Sequence, residues 1–467
     1  MLARNRHLVR QLQQARAALA AARQRVAELE RDPRPAATAV ATASNSSLPP
    51  SANPIGARPP VVKRPTGRRP GGQVGHVGAS RALLPAERVD RVVEHRPAAC
   101  RDCQGSIAAD AAGAVVVGRH QVFELPPVAV VVTEHQSLAC RCARCGCVTR
   151  GAIPPDVAAS CLGPRLSAAV GLLGGSMKGS KRDVALMLGE VLGCPVAVGS
   201  VSARERELSD ALAGPYQALV ASAAAAKVKY VDETGWKLKG KARWLFASAD
   251  ADQVVYRVER ARTRAGFRAL LGGAPRPRGV SCTDRAGIYD MLKLTRRQLC
   301  WAHLKRDFTA AVERGGAGEA AATRMLAVGR EMFELWHRFE RREVRRAGLR
   351  AGVGTLRERA RGALADGAAC GQPRTAGLCR ALLKREGALW RFAGTPGLEP
   401  TNNRAERALR PAVIARKVSQ CSKNTAGAGA FSAFVSVIGT LVLRGCQSVV
   451  DGLSEVLHSG KVAEQPP

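Results

Sequence analysis

Aromatic residues are scarce in this chain: five Trp, four Tyr and nine Phe make up 4% of 467 residues. A protein that binds single strands by stacking successive bases on rings needs more of them, so that class is disfavoured. Acidic residues are also few, 38 against 72 Lys and Arg, which leaves a net charge of +34. Such an excess suits a polyanion, most simply nucleic acid. No apolar run reaches the roughly 18 residues that a membrane-spanning helix needs. The longest candidate, Phe431 to Leu443, contains serines, a threonine and a glycine and reads as a core segment. Glutamines and arginines interrupt the N-terminus, which lacks the apolar stretch and cleavage site of a secretory signal, so a cytoplasmic protein without a membrane partner is expected. Fourteen cysteines in a reducing compartment argue for thiols and a metal site rather than a disulfide framework.

The chain is longer than one hydrophobic core usually supports, so several units joined by linkers are expected. Over 1–33, Leu8, Leu12, Ala15, Leu19, Ala22, Val26 and Leu29 recur in alternating steps of four and three. That is the seam of a coiled coil and implies a homo-oligomer, although a lone surface helix carries the same pattern over so few turns. Residues 34–85 are rich in Pro, Ser, Gly and Ala and cannot bury a core. Within them Lys63, Arg64, Arg68 and Arg69 would track phosphates or enter a minor groove if DNA is the partner, and would be merely solvated otherwise.

Over 88–150, Cys100-x2-Cys103 and Cys142-x2-Cys145 flank a strand-like stretch around Val115 to Val132. Two such knuckles describe a zinc ribbon, a DNA-binding module in which four thiolates close a structural Zn²⁺ site. Cys100, Cys103, Cys142 and Cys145 are the expected ligands, because Gly146 supplies the tight turn of the second knuckle; Cys140 and Cys147 are alternates, and unliganded thiols are the competing reading. Residues 155–222 read as helical: Asp183 to Leu192 is amphipathic, and a polar helix opens at Ser200 or Ser202. That order fits a helix-turn-helix with Arg204 and Arg206 on the reading helix, but it fits any helix pair.

The texture changes to short β-rich runs over 228–232, 244–248 and 254–258, followed by a helix over 264–271 and a fourth strand over 279–284. Three strands, a helix and a fourth strand open an RNase H-like fold, an α/β core on a mixed five-stranded sheet with helices. In that fold the first and fourth strands are neighbours, so carboxylates at their ends, Asp232 and Asp284, come to one sheet edge. Glu406, one turn into a helix opened by Asn402, is the expected third acid; Glu233 and Glu399 are its rivals. Three acids of this kind hold two Mg²⁺ or Mn²⁺ ions that activate a water or 3′-hydroxyl against phosphorus and stabilise the leaving oxygen. Arg407, Arg410, Arg416 and Lys417 follow closely and would bind the substrate's phosphates. The catalytic core is therefore expected over 223–312 and 397–425, with a helical insertion over 313–396 whose Arg341, Arg342, Arg345 and Arg346 form a basic run, and a C-terminal helical region over 426–467.

Five strings spread along the chain resemble the insertion sequence 66 transposases: Asn45-Ser-Ser-Leu-Pro-Pro-Ser51, Arg69-Pro-Gly-Gly-Gln-Val-Gly-His76, Val231-Asp-Glu-Thr-Gly-Trp236, Cys300-Trp-Ala-His303-Leu-Lys-Arg306 and Thr401-Asn-Asn-Arg-Ala-Glu406-Arg-Ala-Leu-Arg410. The resemblance implies a DDE transposase of a bacterial insertion sequence with Asp232, Asp284 and Glu406 as its acids, acting on double-stranded DNA at element ends and target, with element-encoded helper proteins as possible partners. The Cys300-x2-His303 pair reads as packing at a helix start, with support of catalysis as the alternative. An RNase H-like nuclease, and a zinc-ribbon DNA-binding protein derived from an inactive transposase, are the competing functions.

Overall fold

A computed structural model describes residues 81–110, 113–275, 277–419, 421–460 and 462. The coiled-coil expectation over 1–33 and the basic residues Lys63, Arg64, Arg68 and Arg69 lie outside these residues. The elements that follow are β1 (Ala139–Arg141), β2 (Val148–Arg150), α1 (Pro164–Gly171), α2 (Lys181–Glu190), α3 (Val198–Ala211), α4 (Ala213–Ala225), β3 (Val228–Leu238), β4 (Lys241–Ala249), β5 (Val254–Glu259), α5 (Arg264–Leu270), β6 (Val280–Thr283) and β7 (Arg297–Leu299). After them come α6 (Trp301–Arg314), α7 (Glu319–Glu340), α8 (Arg346–Ala369), α9 (Pro373–Leu383), α10 (Asn403–Ser419), α11 (Thr425–Leu443) and α12 (Val449–Ser459).

A mixed five-stranded sheet in the order β5-β4-β3-β6-β7 organises the α/β core. β3, β4 and β5 form an antiparallel meander, while β6 pairs parallel with β3 and with β7. The β3–β4 hairpin turns on Lys239 and Gly240, both at positive φ (50° and 74°), the backbone that a tight hairpin requires between right-twisted strands. β3 runs on to Leu238 rather than stopping at Asp232 as expected, because its whole outer half pairs with β4. Asp232 is therefore a mid-strand residue.

Alternation along β3 divides the core. Tyr230 packs with Cys282, Leu299 and the buried faces of α6, α7 and α8. Val231 points the other way, into a cluster with Phe246, Phe267, Leu208 and Ile438. Further along, Trp236 joins Leu245, Tyr256 and α10 residues Leu409, Ala412 and Ala415. The edge strand β5 is closed by α11: the Val254 and Tyr256 N–H groups donate to Thr440 Oγ1 (3.1 Å) and Ser436 Oγ (2.9 Å), where a neighbouring strand would otherwise be needed. The apolar segment expected from Phe431 begins earlier, at Thr425, and by length and composition this helix could cross a membrane. Its serine and threonine hydroxyls are instead built into the sheet.

Two expectations near the N-terminus need correction. The stretch from Val115 to Val132 forms no paired strand among the described residues, and Val116, Val117 and Val131 are exposed. β-branched residues favour a strand only where a neighbour offers hydrogen bonds and burial; among the described residues of this region the paired strands are β1 and β2. The helix pair near residue 190 is present as α2, with a Ser180–Asp183 capping box, and α3. On α3, the candidate reading helix, Arg204 is mostly buried and ion-paired with Glu207, while Arg206 is exposed.

Candidate active site

The parallel ladder between β3 and β6 ends at Tyr230 opposite Cys282. Asp232 and Asp284 each lie two residues beyond that last pair, so one register carries both carboxylates to the edge where the two strands part. The turn after β6 is stiff. Asp284 Oδ1 accepts from the Ala286 N–H at 2.9 Å, and the buried Arg297 guanidinium donates to the carbonyls of Asp284 (3.0 Å) and Ala286 (3.2 Å), to Thr283 Oγ1 (3.1 Å) and to Asp290 (2.7 Å). Sequence reasoning missed Arg297, since an arginine four residues before a tryptophan gives no hint that it will be 1% exposed.

Glu406 arrives from far along the chain on α10, and the segment before that helix is bolted to the sheet. The Tyr230 hydroxyl donates to the Gly397 carbonyl (3.0 Å) and accepts from the Glu399 N–H (2.8 Å), while the Trp301 N–H donates to the Pro400 carbonyl (3.0 Å). Asn402, fully buried, donates its backbone N–H to Cys300 Sγ (3.1 Å) and its side-chain Nδ2 to the carbonyl of Val231 (2.8 Å), the neighbour of Asp232. The expected role of Asn402 as a helix cap thus becomes that of a strut between α10 and β3. Glu399 is held by Arg404 at 2.7 Å.

Around these acids the charges are strongly coupled. Burial first, and then the negative charges of Glu233, Asp284 and Glu406, push the Asp232 carboxyl well above the usual carboxylate range. Burial and Asp284 likewise raise Glu233. Glu233 points away from Asp232, as alternation requires, and is satisfied by the Tyr289 hydroxyl and by Arg262. Arg262 also reaches Asp284 at 3.1 Å and lies over the Trp244 ring, 5.2 Å from its centroid. The guanidinium therefore ties the Asp284 carboxylate to a neighbouring acid; this residue too was not anticipated from the sequence.

On the Glu406 side, His303 Nδ1 and Glu406 Oε1 are both buried without a hydrogen-bond partner and stand 3.6 Å apart. Burial, then the charge of Arg306, lowers the His303 pKa and keeps the ring neutral near pH 7. Cys300, His303 and Glu406 offer ligand atoms all within 4.8 Å of one another, the one such group of three among the described residues. Burial pushes the Cys300 thiol up to about 12, so it is a protonated packing group more than a metal ligand. Asp232 and Asp284 are not part of that group.

Arg407, Arg410 and Lys417 are exposed on α10. Arg416 turns inward and donates to Thr234 Oγ1 (3.0 Å) and the Gly235 carbonyl, bracing the outer half of β3. The basic run after α7 is a turn: Arg341 pairs with Glu343, and Arg346 donates to the carbonyls of Phe392 and Ala393. The four expected zinc ligands form two separate knuckles. Cys142 accepts from Gly146 through its carbonyl (2.8 Å), with Gly146 at φ 73°, and Cys100 accepts similarly from Gln104 (3.0 Å). Backbone N–H groups of Cys103 and then Asp102 lower the Cys100 thiol, and those of Cys145 and then Arg144 lower Cys142.

Sheet and acids together define an α/β protein with a carboxylate cluster where two parallel strands part. Residues 183–430, more than half of the chain, match the family described as Transposase IS66 family. The chain belongs to that family. It is also similar to an uncharacterized Sinorhizobium fredii protein, y4qI, at 28% identity over 245 residues that cover 46% of this chain and 43% of the relative. The chain thus spans less than half the length of that relative.

Proposed function

We propose that this chain is the DDE transposase of a bacterial insertion sequence, binding element ends and carrying out metal-dependent cleavage and strand transfer on double-stranded DNA. The observation that carries the reading is the placement of Asp232 and Asp284 at equivalent positions beyond the β3–β6 ladder, with the helix bearing Glu406 pinned to β3 through Asn402. Asp232, Asp284 and Glu406 would hold Mg²⁺ or Mn²⁺: all three offer hard oxygens, the crowding that raises Asp232 is a demand for a cation, and Glu406 Oε1 makes no hydrogen bond, with Arg306 beside it at 3.5 Å. When bound, two such ions lower the pKa of an attacking water or 3′-hydroxyl and stabilise the leaving oxygen.

The residues of the chain do the rest. Arg297 fixes the Asp284 backbone, Arg262 and Glu233 orient its carboxylate, and Asn402 sets the distance of Glu406 from β3. Arg407, Arg410 and Lys417 offer charge to phosphates along the exposed side of α10. Cys100, Cys103, Cys142 and Cys145 would hold a structural Zn²⁺ in the N-terminal module, and the seam in 1–33 would make the enzyme an oligomer, assisted where needed by helper proteins.

Purified protein would be incubated with labelled DNA ending in the element's own termini, a target plasmid, Mg²⁺ or Mn²⁺ and any helpers. Ends joined to the target, and lost in Asp232→Ala, Asp284→Ala and Glu406→Ala, are expected. Nicking without joining would point to an RNase H-like nuclease, and binding without chemistry to a zinc-ribbon DNA-binding remnant.

A further inference from the structure

Glu406 lines not only the acidic cluster but also a cavity of about 740 Å³ between α6, α7 and the segment leading into α10. The size lies within the range of small-molecule pockets, roughly 300–1,000 Å³. In a chain with so few aromatics, its lining is unusual: Phe333, Trp336 and His337 all face it from α7, spaced so that one side of a helix carries them. Trp336 is buried and wedged edge-on against Phe392, with centroids 5.6 Å apart, so it serves as floor. Phe333 and His337 lie nearer solvent, with near-parallel rings 24° apart in tilt and centroids separated by 6.3 Å.

Across from these rings stand Lys305 and Arg306 on α6 and Arg407 on α10. Two carboxylates also line the cavity, Glu340 beside His337 (2.9 Å) and Glu399 beside Arg404 (2.7 Å). A free phosphate would use the cations but be repelled by both acids and ignore the rings. A purely apolar guest would leave the cations without purpose. An unpaired nucleotide uses all three features: its base stacks on the rings, its phosphates meet Arg306 and Arg407, and its exocyclic amino groups donate to the carboxylates.

We propose that this cavity receives one base extruded from the duplex beside the bond being cut, with Phe333 and His337 as the stacking platform. The inference rests on the DNA-cleaving reading above. The shared wall at Glu406 places the extruded nucleotide next to the scissile phosphate, and Arg306, which also lines a smaller hollow with Asp284 and His303, joins the two sites.

The test is single-turnover cleavage of element-end DNA by the full-length protein, wild type against Phe333→Leu, which keeps apolar volume, and His337→Ala at an exposed position. The DNA is either fully paired or carries one abasic site at successive positions around the cut. Loss of stacking on a base should slow cleavage of paired DNA roughly ten- to a hundredfold. One abasic position should bring the variants to the rate of the wild type on the same DNA, because no base remains to be held. Undiminished rates in both variants, or slowing that no abasic position relieves, would overturn the proposal while leaving the transposase reading intact. Failure of the wild type to cut any of these DNAs would instead remove the reading on which the proposal depends.

Discussion

Arg297 donates to the carbonyl oxygen of Asp284 at 3.0 Å, so a buried guanidinium on β7 fixes the backbone of an acid at the end of β6. The same guanidinium serves Ala286, Thr283 and Asp290. A lysine keeps the charge but has one nitrogen and no planar fork. Arg297→Lys is therefore expected to destabilise the protein by about 2 kcal/mol, through carbonyls left unpaired, and to slow strand transfer more than it weakens DNA binding. Urea unfolding and a gel-shift titration measure the two effects.

Asp232 gives a pH signature that needs no DNA. Its folded-state pKa is raised by burial and by Glu233, Asp284 and Glu406. Stability contributed by the protonated acid is then fully present below its unfolded pKa, about 4, and is lost as pH rises through the higher folded value. Asparagine cannot ionise, so in magnesium-free buffer Asp232→Asn should melt above the wild type at pH 7 to 8 and together with it near pH 4. Melting curves across this range check the sign; equal pH slopes in both proteins would contradict it.

Asn402 is a strut between α10, which carries Glu406, and β3. Asn402→Ala should cost about 1–3 kcal/mol by leaving the Val231 carbonyl unpaired, and should raise the metal concentration needed for half-maximal joining. A structural role alone would lower the melting temperature without shifting that metal dependence.

The cysteine module should bind zinc independently of catalysis. Wild-type protein is expected to carry one zinc per chain by elemental analysis, and Cys103→Ser with Cys145→Ser to carry none, while the melting of the sheet domain is unchanged. Equal zinc in both proteins would remove these cysteines as ligands.

Much of the sheet was legible because β3 to β6 each carry β-branched or aromatic residues and the order of strands, helix and strand admits few topologies, whereas β7, Arg-Gln-Leu, carries no such residue. The meeting of Asp232 and Asp284 at one sheet edge was legible from the strand order, although Asp232 lies within β3 and not at its end. What escaped was set by distant partners. β3 extends past Asp232 only because β4 is there to pair with it, and the valines from 115 to 132 have the composition of a strand without a neighbour. Arg262, Arg297 and Asn402 derive their roles from atoms far along the chain, 22 residues for Arg262 to Asp284 and 171 for Asn402 to Val231. Arg416 looked like its exposed neighbours on α10 until Thr234 and Gly235 came within reach.

The most direct test of the account is the single-turnover joining rate of Glu406→Gln against wild type, with Glu399→Gln beside it, at DNA concentrations where all proteins are saturated. Loss of a metal-binding oxygen worth several kcal/mol predicts a fall on the order of a thousandfold for Glu406→Gln, with DNA affinity unchanged and Glu399→Gln within a few fold of wild type. A near-wild-type rate for Glu406→Gln, or the larger loss at Glu399, would contradict the assignment of the third acid and with it the proposed centre.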